Sequence, residues 1–182
     1  MIPLPKEVYG TFAGPIDQQA VQRFFYNFGL AVTNGVGRVH LLIQSNGGFV
    51  DDGISIYNYL ANLPIEVISY NEGTVQSIAV LPYLAGKIRR CADNATFLLH
   101  KTTFNVPVDA TAELLRGRAQ AAESSDKRTD NILHASIQLS EEKWALRDKF
   151  GLTLSADEAA QAGLVHEIRH FTPPQGCQLF NI

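Results

Sequence analysis

Cysteine is scarce in this sequence: only Cys91 and Cys177 occur in 182 residues, far apart and in no metal-ligand spacing. That excludes a disulfide framework or a zinc site as the source of stability, and it fits a reducing compartment. Concentrated positive charge is also missing. Fifteen Lys and Arg face eighteen Asp and Glu, for a net charge of -3, and the cations are scattered (Arg89, Arg90, Arg116, Arg118, Lys127, Arg128), so no stripe offers the electrostatic footprint that a phosphate backbone requires. Nucleic acid is not an expected partner. No apolar run is long enough to span a bilayer, and Met1-Ile2-Pro3-Leu4-Pro5-Lys6-Glu7 has no basic stretch leading into an apolar one, so neither a membrane segment nor an export signal is read and a cytoplasmic location is expected. What is present is an apolar content of 46%, enough for a chain of this length to bury a core. One domain over 1–182 is expected.

Short β-rich runs alternate with helical patterns. Strands are expected at 8–12, 38–43 and 65–70, with helices at 18–28 and 54–60 between them, which predicts βαβ units and a largely parallel sheet. Asp17 is placed to cap the first helix, and Gly47-Gly48 marks a sharp strand-to-helix turn. An apolar segment at 77–85 precedes β-like runs at 87–91 and 96–100. From 109 to 150 the composition shifts to Ala, Glu, Arg, Gln and Lys without proline, predicting one long helix or two joined near Ser140. Its central part, 123–131, is too polar to be buried all round. A projecting, partner-binding helix is the expectation, with Leu114, Leu115, Ile132, Leu133 and Ile137 available for contacts. Ser155 and Glu158 are spaced as a capping box, Gly163 is placed to stop that helix, a last strand is expected at 164–169, and a coil tail carries Pro173-Pro174.

Three stretches carry possible chemistry. In Leu41-Leu42-Ile43-Gln44-Ser45-Asn46-Gly47-Gly48 a buried strand runs into paired glycines beside a helix start, where main-chain N–H groups can face a developing oxyanion; alone, it reads as an ordinary turn. In Gly73-Thr74-Val75-Gln76-Ser77-Ile78-Ala79 a lone serine opens an apolar helix, as a nucleophile held at a sheet edge or as a simple helix cap. In Thr96-Phe97-Leu98-Leu99-His100 a strand ends in a histidine, either a proton carrier for Ser77 or a half-buried structural residue. The other histidines, His40, His134, His166 and His170, have no such company in the sequence.

In order and spacing these stretches resemble the ClpP family, the proteolytic subunit of ATP-dependent Clp proteases. The family's Ser-Pro-Gly-Gly turn reads here Ser45-Asn46-Gly47-Gly48, its Gly-x-x-x-Ser segment Gly73-Thr74-Val75-Gln76-Ser77, and its strand-terminal histidine Leu98-Leu99-His100. The resemblance extends to Gly14-Pro15-Ile16-Asp17, Gly53-Ile54-Ser55-Ile56-Tyr57, Ser155-Ala156-Asp157-Glu158-Ala159 and Gly163-Leu164-Val165. It implies the α/β ClpP/crotonase-like fold of repeated βαβ units with a projecting handle helix, here about 109–139. By the same resemblance Ser77 is the nucleophile of a serine endopeptidase, His100 the base, and the N–H groups of Gly47 and Ile78 the oxyanion hole, with no cofactor and no metal. For the third triad member two placements stand: Asp148 in Arg147-Asp148-Lys149-Phe150, followed by three extra residues, or an ungapped reading back from Ser155 in which the acid position falls on Gly151. Without an acid, activity is expected to be weak or absent.

The resemblance further implies peptide or unfolded-protein substrates and a homo-oligomeric ring, a heptamer or stacked heptamers. It also implies an AAA+ unfoldase as partner, although the few residues before Val8, where the family carries a leader that contacts the unfoldase, argue against that coupling. Asn46 stands where the family has proline, Ile78-Ala79 where it has Met-Gly, and Gln76 where it has a small residue. The competing readings are a noncatalytic ring subunit, a crotonase-like acyl-CoA enzyme, and a signal-peptide-peptidase type with Lys101 as base, which strand alternation would point away from Ser77.

Overall fold

The computed structural model describes residues 7–182. The segment before them, on which the expectation of a missing leader rests, lies outside the described residues. Strand β1 (Glu7–Ala13) leads into helix α1 (Gln18–Thr33), β2 (Arg38–Gln44), helix α2 (Val50–Ala61) and β3 (Glu66–Asn71). After these come β4 (Thr74–Gln76), a single 3-10 turn (Ser77–Ala79), helix α3 (Val80–Leu84), β5 (Ile88–Cys91) and β6 (Thr96–Leu99). The chain closes with helices α4 (Ala112–Ser136) and α5 (Glu141–Lys149), β7 (Leu152–Ser155), helix α6 (Ala156–Gln161), β8 (Glu167–Ile168) and β9 (Leu179–Asn181).

One sheet has the order β8-β5-β3-β2-β1-β9, and every pairing in it is parallel. Parallel neighbours need long crossovers, which α1 and α2 supply. Asp17 caps α1 by accepting from the Ala20 N–H at 2.8 Å, and Ala20, Phe24 and Phe28, spaced by four, form its inner stripe. Phe12 and Phe24 pack as a tilted pair with ring centroids 5.0 Å apart, and burying each such ring contributes about 1.5–3 kcal/mol. The core continues through Leu41, Ile43, Ile56, Val75, Phe97 and Leu154.

A second, smaller sheet has the order β4-β6-β7. It joins the first where Ser45, just beyond β2, bridges to Val75 on β4. The functional stretches therefore lie at the seam between the two sheets. Three strands were not expected from the sequence. The segments of β4 and β7 are too short to show alternation over a useful window, and β9 forms in the expected coil tail because it finds an open edge on β1, Tyr9 pairing with Leu179. Ile182 is then buried over Gly10, where a Cβ would come within 2.9 Å of the Ile182 Cδ1. The strand expected at 164–169 contracts to β8.

The helical stretch divides near Ser140, whose hydroxyl caps α5 through the Lys143 N–H at 3.2 Å. Leu133 and Ile137 at the end of α4 are buried, whereas Leu114 and Leu115 are 40% and 38% exposed and residues 111–120 all face solvent. The start of α4 thus stands away from the body. Ser155 and Glu158 form the capping box expected of α6. No helix among the described residues is long and apolar enough to cross a membrane.

Candidate active site at the seam of the two sheets

Between β4 and α3 the chain turns so sharply that Ser77 takes φ +56°, the single non-glycine residue of positive φ among the described residues. Such a conformation costs roughly 1–3 kcal/mol and persists only where neighbours over-determine it. Here the neighbours are glycines and apolar side chains. Gly47 has φ +101°, and a Cβ there would stand 2.6 Å from the Ser77 Cβ. A Cβ on Gly53 of α2 would stand 2.3 Å from the Ile78 Cγ1, and Ile78 and Ala79 are buried. The serine is pressed outward from a packed elbow.

The main chain around it corrects one expected donor. The Gly47 N–H donates to the Ser45 hydroxyl at 3.1 Å and is not the group that opens on the cleft. Gly48 lines the cleft, and its N–H makes no intramolecular hydrogen bond among the described residues. Ile78, as the second residue of a short helical turn, keeps its N–H outside the helical bonding pattern.

Ser77 and His100 line one cleft of about 80 Å³, together with Gly48, Ile78, Lys101 and Arg147. Among the described hydrogen bonds none joins the serine to the histidine. The His100 Nδ1 lies 2.6 Å from the Lys101 carbonyl oxygen. A carbonyl can only accept, so Nδ1 carries the proton and, in the neutral ring, Nε2 holds the lone pair.

Asp148 does not meet this ring. Its carboxylate lies 3.0 Å from the Arg147 guanidinium and 3.8 Å from the Lys101 ammonium. The residue beside the histidine is Gly151, where a Cβ would be 3.6 Å from the His100 Cβ. The cause is strand register: Leu99 pairs with Leu152, which places the preceding residue against His100. Of the two placements left open by the sequence, the chain path follows the ungapped one.

Lys101 departs from expectation as well. Because β6 ends at Leu99, strand alternation no longer governs it, and it lines the same cleft as Ser77. Its ammonium is engaged by Asp130 at 2.6 Å. Asp130 also meets the Arg147 guanidinium at 2.6 Å, and that arginine is only 2% exposed. Burial pushes the Asp130 carboxyl up, but the Lys101 hydrogen bond and the Arg147 charge outweigh it and hold the group below the usual carboxylate range. Asp126, one turn earlier on α4, accepts from the Thr102 N–H at 2.7 Å. Neither Asp126 nor Asp130 was marked by the sequence, since nothing local distinguishes them from solvated helix charges; their i,i+4 spacing was the one available signal.

His40 and His170 have partners of another kind, away from Ser77. His40 is buried, stacks on Tyr9 at 4.3 Å and lies 2.9 Å from the Tyr70 hydroxyl; burial lowers its pKa, partly offset by Glu7. His170 pairs with Glu72 at 2.9 Å. Neither lines the cleft.

A strained serine, a histidine and open main-chain N–H donors line one cleft on an α/β scaffold consistent with the ClpP/crotonase-like superfamily. The family model described as Clp protease matches residues 7–171, and the chain belongs to that family. It is 27% identical over 157 residues to the ATP-dependent Clp protease proteolytic subunit 3 of Rhizobium etli, covering 85% of this chain and 80% of that protein. It is 25% identical over 158 residues to the ATP-dependent Clp protease proteolytic subunit 2 of Pseudomonas aeruginosa, covering 85% and 77%. The proteolytic subunit 3 of Rhizobium johnstonii is similar at 27% over 157 residues.

Proposed function

We propose that this chain is a serine-type endopeptidase subunit that cuts peptides or unfolded proteins through an acyl-enzyme on Ser77. The observation that carries the reading is the shared cleft: Ser77 on its strained elbow and His100 with its Nε2 lone pair available line the same small space. In the reaction the Ser77 Oγ attacks the substrate carbonyl as His100 Nε2 takes its proton. The tetrahedral oxyanion receives hydrogen bonds from the N–H groups of Gly48 and Ile78. His100 returns the proton to the leaving amine, and water, activated by the same imidazole, hydrolyses the acyl-enzyme. Asp148, expected as the third member, is assigned instead to neutralising Arg147 and Lys101. No cofactor or metal enters these steps.

Ring assembly belongs to the same proposal. The exposed first half of α4, with Leu114 and Leu115 half-exposed, would serve as the handle against a second copy, and a closed homo-oligomer would enclose the clefts. The matched relatives are named as subunits of an ATP-dependent protease, so delivery of substrate by an AAA+ unfoldase in the cytoplasm is the corresponding proposal here.

One observation favours a second reading. His100 has no carboxylate among its described hydrogen-bond partners and a glycine at its side, which suits a noncatalytic ring subunit. Intact-mass spectrometry after fluorophosphonate treatment separates the two. The peptidase reading expects one adduct on the wild type, none on Ser77→Ala, and labelling of His100→Ala slower by about a hundredfold or more. A folded, assembled wild type that takes up no adduct would leave the noncatalytic subunit.

A further inference from the structure

We propose that Asp126 on α4 is a positioning residue for His100, acting on the imidazole through the single peptide group that joins Lys101 to Thr102. The inference rests on the reading of His100 as the base.

The Lys101 carbonyl that accepts from His100 Nδ1 and the Thr102 N–H that donates to Asp126 belong to one planar unit, and in a trans peptide the two groups point in opposite directions. The Asp126 Oδ1 lies 2.7 Å from that nitrogen, and the carbonyl oxygen lies 2.6 Å from Nδ1. A carboxylate holding the N–H end therefore aims the carbonyl end at the imidazole. It does more than aim it. A charge-assisted bond at the N–H polarises the amide and makes its oxygen a stronger acceptor, as happens along hydrogen-bonded chains in a low-dielectric setting. Negative charge that would ordinarily face the imidazole directly is conveyed through one amide.

The same peptide is secured from the side. Lys101 is tied by its ammonium to Asp130 at 2.6 Å, one turn further along the same face of α4. Asp130 is in turn held by the buried Arg147 at 2.6 Å, and the Asp126 carbonyl receives the Thr129 hydroxyl at 3.0 Å. Residues 101 and 102 are thus pinned to one helix, by a side chain and by a main-chain N–H respectively. Gly151, beside His100, offers no competing carboxylate. The chain supplies an orienting acid from a different element, at the distance of one peptide.

The test compares wild type, Asp126→Ala and Asp126→Asn, reading the His100 tautomer by nitrogen-15 NMR on labelled histidine, with His100→Ala giving the assignment, and the rate of fluorophosphonate acylation at saturating probe. The wild type should show the Nδ1–H tautomer. Asp126→Ala should lose that preference and acylate about tenfold to a hundredfold more slowly with the half-saturating probe concentration unchanged. Asp126→Asn, which keeps an acceptor oxygen without the charge, should restore the tautomer and only part of the rate. An Nε2–H tautomer in the wild type, or an Asp126→Ala protein with wild-type tautomer and rate, would overturn the proposal. Should Asp126→Ala fail to fold, the isosteric Asn variant still decides: an unchanged rate argues against charge conveyed through the amide. A wild type that binds no probe but shows the tautomer responding to Asp126 would instead sink the peptidase reading and leave the orientation standing.

Discussion

The two walls of the cleft are held by opposite means. On the Ser77 side there is almost no charge: the turn is gripped by Gly47, Gly53 and the buried Ile78 and Ala79, so steric exclusion sets the position of the hydroxyl. On the His100 side the peptide that accepts from the ring is tied by charge: Asp126 holds the Thr102 N–H, and Asp130 joins the Lys101 ammonium to the buried Arg147. Packing fixes position to within fractions of an ångström but carries no electrostatic bias. A charged network supplies bias and direction, yet it depends on ionisation and on complete pairing. Under the proposed mechanism the base needs its proton placed on one nitrogen, whereas the nucleophile needs chiefly its angle of attack, and the two means of support match those needs.

The contrast is broken most severely from the packed side. Gly47→Ala would put a Cβ 2.6 Å from the Ser77 Cβ and 3.1 Å from the Gln76 carbonyl oxygen at φ +101°. A loss of about 3 kcal/mol or more is expected, together with loss of probe labelling, as measured by denaturant unfolding and intact mass. A variant that unfolds and labels like the wild type would mean that the elbow is not sterically clamped.

The charged side should yield less, and in a pH-dependent way. Asp130→Asn leaves Arg147, 2% exposed, with only the half-exposed Asp148 as a charged partner, for an expected cost of roughly 2–3 kcal/mol near neutral pH. Because the folded state holds the Asp130 carboxyl below its unfolded value, its contribution is present above about pH 4 and is lost as pH falls through the folded value. Unfolding midpoints measured from neutral pH to pH 3 should therefore fall more steeply for the wild type than for Asp130→Asn. Parallel curves would show that this carboxylate is not the linked group.

The smallest expected effect sharpens the comparison. Gly151→Asp introduces a carboxylate next to His100 at φ +83°, a left-handed conformation that aspartate tolerates better than most residues. Direct stabilisation of the imidazolium should raise the acylation rate about tenfold. If labelling stays at the wild-type rate, the peptide-borne orientation already meets the demand on the base.

Much of this was legible along the chain. The parallel strands, the α1 cap at Asp17, the split near Ser140 and the capping box at Ser155 and Glu158 all rest on short-range rules, and they are present. Ser77, the Gly47-Gly48 turn and His100 could be singled out because a strand end followed by glycine or a hydrophilic residue is a local pattern. The Gly47 N–H, the expected donor, is engaged internally while that of Gly48 is open, since which N–H of a glycine pair stays open depends on where the Ser45 hydroxyl turns. Asp148 was attractive for its Arg-Asp-x-Phe segment and its separation from His100. The residue that reaches His100 is decided by the antiparallel register of β6 and β7, and the short segment of β7 showed no periodicity to announce it.

Sequence alone therefore determined the α/β character, the family resemblance and the candidate nucleophile and base, because each follows from residues within a few positions of one another. Only the tertiary structure decided how those groups are held. The strain at Ser77 arises where two sheets meet, the choice of open donor beside it from the Ser45 hydroxyl that engages the Gly47 N–H, and the anchoring of the peptide beside His100 from two carboxylates on a helix more than twenty positions further along. Such contacts are set by the packing of whole elements, and a one-dimensional pattern carries no record of them.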